Sequence, residues 1–141
     1  MSLANEIITT PKKLQGLKQA MWQANEAIMA VYRSDDFGTE TKGDDSPVTK
    51  ADLAAHYVLV DALSELTPDI PVVSEEDNAS LAIPLSHKTY WLIDPLDGTK
   101  EFLKRNDEFT CNLALIENNQ PTLGFVSVPA KDELYTGGYG I

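Results

Sequence analysis

The sequence predicts an α+β domain in which two helices pack on a mainly antiparallel sheet. Two segments in the first half repeat apolar residues at spacings of three and four, the period of a helix with one buried face. Short apolar and β-branched runs separated by turn residues fill the second half, as in a sheet built from hairpins. With 141 residues, of which 43% are hydrophobic, the chain can build one core of its own, so a single domain is expected.

The first helix is expected from Pro11 to about Arg33, with Thr10 near its cap. A polar segment and a short strand near residues 39–41 are expected after it. The apolar face of the helix consists of Leu14, Leu17, Met21, Ala24, Ile28 and Val31.

The second helix is expected from about Lys50 to Leu66, where Thr67 and Pro68 close it. His56 lies off the apolar line of this helix, and is expected to be a solvent-facing or packing histidine. The apolar line itself consists of Ala55, Leu59, Ala62 and Leu66.

The second half is expected to supply the strands. A polar loop holding Pro84 and His87 separates the first two, and a short helical turn at residues 98–103 follows them. His87 has no acidic or cysteine neighbour at ligand spacing, so we assign it no role. The strands are expected at residues 71–74, 90–94, 110–117, 122–129 and 133–136.

Charge and cysteine content exclude several classes of function. The formal net charge of -11, without a basic stripe, argues against a nucleic-acid polymer as partner. No stretch approaches the length of a transmembrane segment, and the start of the sequence lacks the apolar core of a signal peptide. The single Cys111 lies in an apolar run and is expected to be a buried, inert thiol. A cytoplasmic location is therefore expected.

The string WLIDPLDGTKEF, residues 91–102, carries the strongest functional signal. An apolar strand ends in Asp94, Pro95 is expected to stop ladder pairing, and Gly98 permits a tight reversal before a helical turn. Carboxylates and free backbone amides would then converge, a combination that suits a hard cation such as magnesium together with a phosphate. The alternative is an Asp-Gly turn without chemistry, which a string of this length makes the weaker interpretation.

Two other acidic loops fail to match this string. An EF-hand needs acidic or amide residues at alternate positions before its glycine, and the haloacid dehalogenase phosphatases need Asp-x-Asp-Gly-Thr. Here Pro95 and Leu96 separate the two aspartates, Asp94 and Asp97. A shared metal ion is therefore a more natural use of the pair than a nucleophile and an acid on one strand.

Two further strings place acids near structural boundaries. In KGDDSPVTKAD, residues 42–52, Thr49 can cap the second helix and Asp52 lies in its first turn, where a merely stabilising acid is the simplest interpretation. In VVSEED, residues 72–77, a β-branched run ends in Glu75 and Glu76, which could simply be solvated. Three acidic boundaries in one chain favour a common site.

These strings together resemble the signature of the lithium-sensitive, magnesium-dependent phosphatases of the inositol monophosphatase superfamily. The Thr-Lys-Glu-Phe ending, with Lys100 and Glu101, is similar to the CysQ-like 3'(2'),5'-bisphosphate nucleotidases in particular. The resemblance runs from about Lys42 to the end of the chain. It implies the N-terminal half of the inositol monophosphatase and sugar phosphatase fold, and a place in sulfur metabolism.

The resemblance also implies a mechanism. The substrate would be adenosine 3',5'-bisphosphate, which loses its 3'-phosphate to give AMP. Asp52 and Thr99 would orient and deprotonate the attacking water, which Glu75 helps to hold. Amides of Gly98 and Thr99 would bind phosphate oxygens. Two or three magnesium ions would be bound by Glu75, Asp94, Asp97 and the backbone carbonyl of Leu96.

Two interpretations stay open for Lys42 and for Lys100. Lys42 either contacts phosphate or a weak metal site, or is a solvated loop lysine. Lys100 has the same alternatives. Glu76 is expected to act as a neighbour of the metal ligands.

The related phosphatases continue into a second α/β domain that supplies another metal-binding aspartate. Residues 1–141 are expected to form the N-terminal metal-binding α+β domain, with the C-terminal α/β domain absent from this chain. An exposed apolar surface is then expected to favour self-association. Two other functions stay open, an inositol-phosphate phosphatase and a non-catalytic metal-binding or interaction module.

Overall fold

A computed structural model of the chain describes residues 2–41 and 47–138. Its helices are α1 (Leu3–Ile8), α2 (Pro11–Tyr32), α3 (Lys50–Leu66) and α4 (Thr99–Leu103), with 3-10 helices at Asn78–Leu85 and Pro129–Lys131. Its strands are β1 (Glu40–Thr41), β2 (Pro47–Val48), β3 (Val72–Ser74), β4 (Thr89–Asp97), β5 (Thr110–Glu117), β6 (Gln120–Val128) and β7 (Glu133–Gly138).

The two long helices form where the apolar periodicity predicts them. Pro11 begins α2, because a fixed φ suits the first helical position and its missing N–H would have had no partner there. Thr49 caps α3 with its side chain, which accepts a hydrogen bond from the amide of Ala51 at 3.1 Å. Both helices bury one apolar face, which includes Leu17, Met21, Ala24, Ile28, Ala55, Leu59 and Leu63.

The main sheet has five strands in the order β3-β4-β5-β6-β7. β3 and β4 are parallel, and the other neighbours are antiparallel, which confirms the predicted α+β class with a mainly antiparallel sheet. β1 and β2 form a separate two-residue ribbon. Alternate residues of β4, β5 and β6 face the helices and fill the core, namely Trp91, Ile93, Leu113, Leu115, Leu123 and Phe125.

An aromatic cluster lies beneath α4. Phe102 and Phe109 are fully buried, with ring centroids 5.1 Å apart in an edge-to-face arrangement. Tyr32 at the end of α2 contacts both rings, and Phe37 lies 4.7 Å from Phe102 between ring centroids. The cluster fixes the short helix α4 to the end of α2, so a helix too short to be stable alone has a defined position.

Three expectations from the sequence are corrected. The pairing of β4 with β5 breaks after Asp94 but resumes at Asp97 opposite Thr110, so Pro95 makes a bulge and does not end the strand. The region expected to be a polar loop contains the 3-10 helix Asn78–Leu85. His56 is buried, so the solvent-facing alternative is wrong and the packing alternative is right.

The predicted thiol environment is confirmed. Cys111 is buried on β5, and burial raises the pKa of its thiol to about 12, with a further contribution from the nearby charge of Asp94. Such a thiol is protonated at neutral pH, and therefore inert as a nucleophile.

In residues 2–41 and 47–138, no helix is both long enough and apolar enough to cross a membrane.

Candidate active site

A cleft of about 340 Å³ opens where β3 and β4 end and where α3 and α4 begin. Six of the residues singled out from the sequence line it together: Asp52, Glu75, Asp94, Leu96, Gly98 and Thr99. Pro47, Glu76, Lys100 and Glu101 complete the lining. Asp97 is exposed at the side of the cleft, and Lys42 lies outside the described residues.

The parallel pairing of β3 with β4 brings two acidic segments to one edge. Val72 lies opposite Trp91 and Ser74 opposite Ile93, so the two strands leave the sheet side by side. Glu75 and Asp94 are the next residues of their respective strands, and both reach the cleft. Antiparallel neighbours would have sent the two carboxylates to opposite edges.

Asp94 has the most perturbed carboxyl group of the cleft. Its pKa is raised to about 6, first by burial and then by the negative charges of Asp97, Glu75, Glu76 and Asp52. Each of these neighbours disfavours a negative charge on Asp94. A bound cation would reverse this effect, because it favours the ionised form of every carboxylate around it.

The bulge between Asp94 and Asp97 separates the orientations of these two aspartates. Asp94 is partly buried and lines the cleft, whereas Asp97 is exposed and accepts a long hydrogen bond, 3.5 Å, from the side-chain nitrogen Nδ2 of Asn112. Between them, the Leu96 side chain is 4% exposed and anchors the bulge in the core. The Leu96 carbonyl accepts a 3.4 Å hydrogen bond from the hydroxyl of Thr99.

Gly98 makes the turn that leads from β4 into α4. Its φ of 93° lies in the left-handed region, which side chains other than glycine rarely adopt. A Cβ at this position would also lie 3.1 Å from the carbonyl oxygen of Glu108, so the space is closed as well. The turn places Thr99 at the first position of α4, where backbone amides have no partner within the helix.

Asp52 joins the start of α3 to the start of α4. One carboxylate oxygen, Oδ2, accepts hydrogen bonds from the amide and the hydroxyl of Thr49, each at 2.8 Å. The other oxygen, Oδ1, accepts a hydrogen bond from the hydroxyl of Thr99 at 3.2 Å. Asp52 is 1% exposed, so these bonds compensate for the loss of hydration of its charge. Asp52 therefore caps α3 and lines the cleft with the same carboxylate.

The donor atoms of the cleft suit a hard divalent cation. Carboxylate oxygens and a backbone carbonyl are the ligands that magnesium prefers. Among the described residues, no three His, Cys, Asp or Glu side chains lie close enough together to hold one ion. Magnesium does not require such a set, because it keeps several waters and takes one or two carboxylates with substrate phosphate. The residues present therefore fit the metal that the resemblance implies.

Several residues of the site give little signal in the sequence. Pro47 lines the cleft because β2 contacts α4. Glu101, already singled out by the Thr-Lys-Glu-Phe ending, lines it because its side chain turns back toward Gly98. His56, Ser74 and Ser80 form hydrogen bonds behind Glu75 and Glu76. The contacts of Pro47 with α4 and of His56 with Ser74 join segments that are distant in the sequence, so no local string indicates them.

The family profile and the curated relatives that match this chain point to the same protein family. The profile of the inositol monophosphatase family matches residues 12–140. The chain is 50% identical over 118 residues to the 3'(2'),5'-bisphosphate nucleotidase CysQ of Escherichia coli (strain K12), which covers 83% of this chain and 48% of that protein. The chain thus spans about half the length of the curated relatives it matches.

Solved structures agree with the sequence matches. The crystal structure of CysQ from Bacteroides thetaiotaomicron matches with a TM-score of 0.77 and 41% identity, over 94% of this chain and 48% of that one. The IMPase of Thermotoga maritima matches with a TM-score of 0.76 and 27% identity, over 92% of this chain and 49% of that one. Because the family profile covers most of the sequence, the chain belongs to the inositol monophosphatase family.

Proposed function

We propose that the chain carries the metal-binding half of a magnesium-dependent phosphatase that removes the 3'-phosphate of adenosine 3',5'-bisphosphate to give AMP. The observation that carries this proposal is the cleft itself, where the Asp52–Thr99 hydrogen bond lies beside Glu75 and Asp94. The similarity to CysQ nucleotidases supports the choice of substrate.

Asp52 and Thr99 would act on the attacking water. The Thr99 hydroxyl has one hydrogen and two acceptors in reach, Asp52 Oδ1 at 3.2 Å and the Leu96 carbonyl at 3.4 Å, and we take the shorter bond, to Asp52. The lone pairs of the Thr99 oxygen then stay available to accept a hydrogen from water. The charge of Asp52 makes that oxygen a stronger acceptor, which favours removal of a proton from the water. The water attacks phosphorus in line, the bond from phosphorus to the 3' oxygen breaks, and that oxygen takes up a proton from solvent.

Glu75, Asp94, Asp97 and the carbonyl of Leu96 would hold two or three magnesium ions. When bound, magnesium neutralises charge on the phosphate oxygens and makes a nearby water more acidic. Asp97 is exposed beside the cleft, so its share in the site depends on its carboxylate turning toward an ion.

The start of α4 would bind the phosphate group. The amides of Gly98 and Thr99 are the proposed donors to phosphate oxygens, and Lys100 brings a positive charge to the same cleft. A role for Lys42 stays a prediction. With a net charge of -11, the chain would depend on bound cations to attract an anionic substrate.

An inositol-phosphate phosphatase is the second candidate. It is favoured by the structural match to the IMPase of Thermotoga maritima, whose TM-score of 0.76 is close to that of the CysQ structure. The lower identity, 27% against 41%, makes it the weaker candidate. A cytoplasmic location and a role in sulfur metabolism stay part of the proposal.

The direct test is magnesium-dependent phosphate release from adenosine 3',5'-bisphosphate and from inositol 1-phosphate. The assay compares the chain alone with a chimera in which it replaces the matched half of the CysQ of Escherichia coli (strain K12). An Asp94→Asn chimera serves as the matched control.

We expect the chimera to prefer the bisphosphate and the Asp94→Asn chimera to be inactive. A folded chimera that releases phosphate from neither substrate would show that this half does not serve a phosphatase. Preference for inositol 1-phosphate would select the second candidate. Binding of magnesium without turnover in either form would favour the non-catalytic metal-binding module.

A further inference from the structure

A buried histidine behind the cleft joins two of its walls. His56 lies one helical turn after Asp52 on α3 and is 8% exposed. Its Nδ1 is 2.7 Å from the hydroxyl oxygen of Ser74, the last residue of β3. This contact connects the helix that carries Asp52 to the strand that leads into Glu75.

The turn after β3 depends on side-chain hydrogen bonds. The amide of Glu76 donates to the Ser74 hydroxyl oxygen at 3.2 Å, and the amide of Ser74 donates to the Ser80 hydroxyl oxygen at 2.9 Å. The Ser80 hydroxyl in turn donates to the carbonyl of Asp77 at 2.6 Å. The sheet itself holds Glu75 only weakly, because its amide makes a 3.5 Å hydrogen bond to β4. A backbone hydrogen bond from the amide of Asp77 to the carbonyl of Ser74, at 3.1 Å, closes the turn, and the two serine hydroxyls add side-chain constraints to it.

Counting hydrogens assigns the direction of the His56–Ser74 bond. The Ser74 hydroxyl oxygen already accepts a hydrogen from the amide of Glu76, and the hydroxyl has one hydrogen to donate. Donation to Nδ1 satisfies both groups and places the imidazole hydrogen on Nε2. The other tautomer would bring two hydrogens to the same oxygen and turn the hydroxyl hydrogen away from the imidazole.

We infer that His56 is a positioning residue, which acts through Ser74 to fix the Glu75–Glu76 turn against α3. It thereby sets the position of Glu75 relative to Asp52. The inference rests on the proposed function in so far as these two acids serve one metal site. Partners one step removed from a metal ligand commonly control its affinity, because they fix the orientation of the ligand.

Two substitutions of His56 distinguish the loss of its hydrogen-bond acceptor from the loss of its side-chain volume. Asparagine places its side-chain oxygen about where Nδ1 lies, so His56→Asn keeps an acceptor for Ser74. Leucine fills a similar volume without one. Ser127→Ala is the control away from the cleft, since Ser127 is buried like Ser74 and donates a 2.6 Å hydrogen bond to Asn25 Oδ1.

The first measurement is amide hydrogen exchange of the metal-free chain in EDTA, followed by NMR. In His56→Leu we expect the Glu76 amide to exchange about tenfold faster, the equivalent of one lost hydrogen bond. His56→Asn should restore slow exchange, and Ser127→Ala should leave Glu76 unchanged. Unchanged exchange of Glu76 in His56→Leu would overturn the inference. If His56→Leu does not fold, Ser74→Ala removes the same link from the other side, with the same expected result.

The second measurement is the affinity for Mn²⁺ by calorimetry. His56→Leu should bind Mn²⁺ about tenfold more weakly than the wild type, and His56→Asn should recover most of the loss. Equal affinity of His56→Leu and wild type would reduce His56 to a packing residue and overturn the inference. If the wild type binds no Mn²⁺ while Glu76 exchange responds as expected, the proposed function fails and the positioning role stands.

Discussion

Asp94 is the carboxyl group of the cleft whose ionisation is opposed most strongly by its surroundings. It lies at the end of a core strand, where burial and four other acidic residues raise its pKa to about 6. A carboxylate kept in such surroundings costs stability in the metal-free chain, and a bound cation removes that cost. The proposed role of Asp94 as a metal ligand and the stability of the metal-free chain therefore oppose each other at this residue.

We expect Asp94→Asn to stabilise the metal-free chain at neutral pH. The unfolded carboxyl group has a pKa near 3.8 and the folded one a pKa of about 6. Below about pH 4 the carboxyl group is protonated in both the folded and the unfolded chain. Between about pH 4 and 6 it stays protonated mainly in the folded chain, so the contribution of Asp94 to stability falls as pH rises. Above about pH 6 it is ionised in both, and the contribution stays low. Asparagine cannot ionise and avoids this loss.

The measurement is thermal unfolding in EDTA at pH 4.5 and pH 7.5. At pH 4.5 only part of the ionisation penalty has developed, so the variant should unfold only slightly above the wild type. At pH 7.5 it should unfold about 2–6 °C higher, a range that allows for the partial exposure of Asp94. A lower unfolding temperature of Asp94→Asn at pH 7.5 would mean that the Asp94 side chain is stabilised by contacts that its pKa does not reflect.

Single residues also show the limit of sequence reasoning. The spacing of the acids predicts a common site, and Asp52, Glu75 and Asp94 do line one cleft. Whether Asp97 faces that cleft depends on the bulge, which is a property of the pairing of β4 with β5. The contact of His56 with Ser74 depends on how α3 packs near β3, and no local pattern contains it.

At the scale of elements, the start of α3 combines a structural cap with an acid of the proposed site. Thr49 and Asp52 form a capping box, and the same Asp52 contacts Thr99 at the start of α4. Loss of the cap should therefore affect both the stability of the helix and the geometry of the cleft.

Thr49→Ala should lower the free energy of unfolding by about 1–2 kcal/mol, because it removes a buried cap and one of the bonds that fix Asp52. Thr10→Ala is the control at the start of α2, where the side chain makes no capping bond and an exposed hydroxyl donates to the carbonyl of Glu6. That change should stay within about 0.5 kcal/mol. Chemical denaturation measures the free energy of unfolding of both variants. Equal decreases in the two would contradict a stabilising role of the Thr49 cap.

The elements that the sequence does not predict lack a periodic signal. α1 has six residues, and its start is held by a tertiary contact in which the amide of Leu3 donates to Glu117 Oε1 at 2.7 Å. The 3-10 helix Asn78–Leu85 contains Pro84 and no 3.6-residue repeat. The long helices and the hairpin have strong periods, and their predicted positions are confirmed to within two residues.

At the scale of the whole molecule, one face of the main sheet is covered by α2 and α3 and the other carries exposed apolar side chains. Leu92, Val126 and Tyr135 are 39%, 41% and 56% exposed. The pairing registers of β4 to β7 place these three residues on the same face. Exposed apolar side chains grouped in this way are typical of an interaction surface.

We expect the isolated chain to self-associate through this face. Leu92→Lys and Val126→Lys should each reduce the association, because a charged side chain on the contact surface must lose its hydration. Leu85→Lys is the control, since Leu85 is 90% exposed on the 3-10 helix. Sedimentation velocity over a range of concentrations measures the effect. A wild-type chain that stays monomeric at high concentration would rule out this self-association.

The central claim is that the acidic cleft is a magnesium-type site in which Asp94 is a ligand. Calorimetric titration of Mn²⁺ into the chain at pH 7.5, with the wild type beside Asp94→Asn, tests it most directly. We expect saturable binding to the wild type and at least a tenfold weaker affinity of the folded variant, about 1.4 kcal/mol or more of binding free energy. Equal affinities of the two proteins, or no binding to the wild type, would contradict the claim.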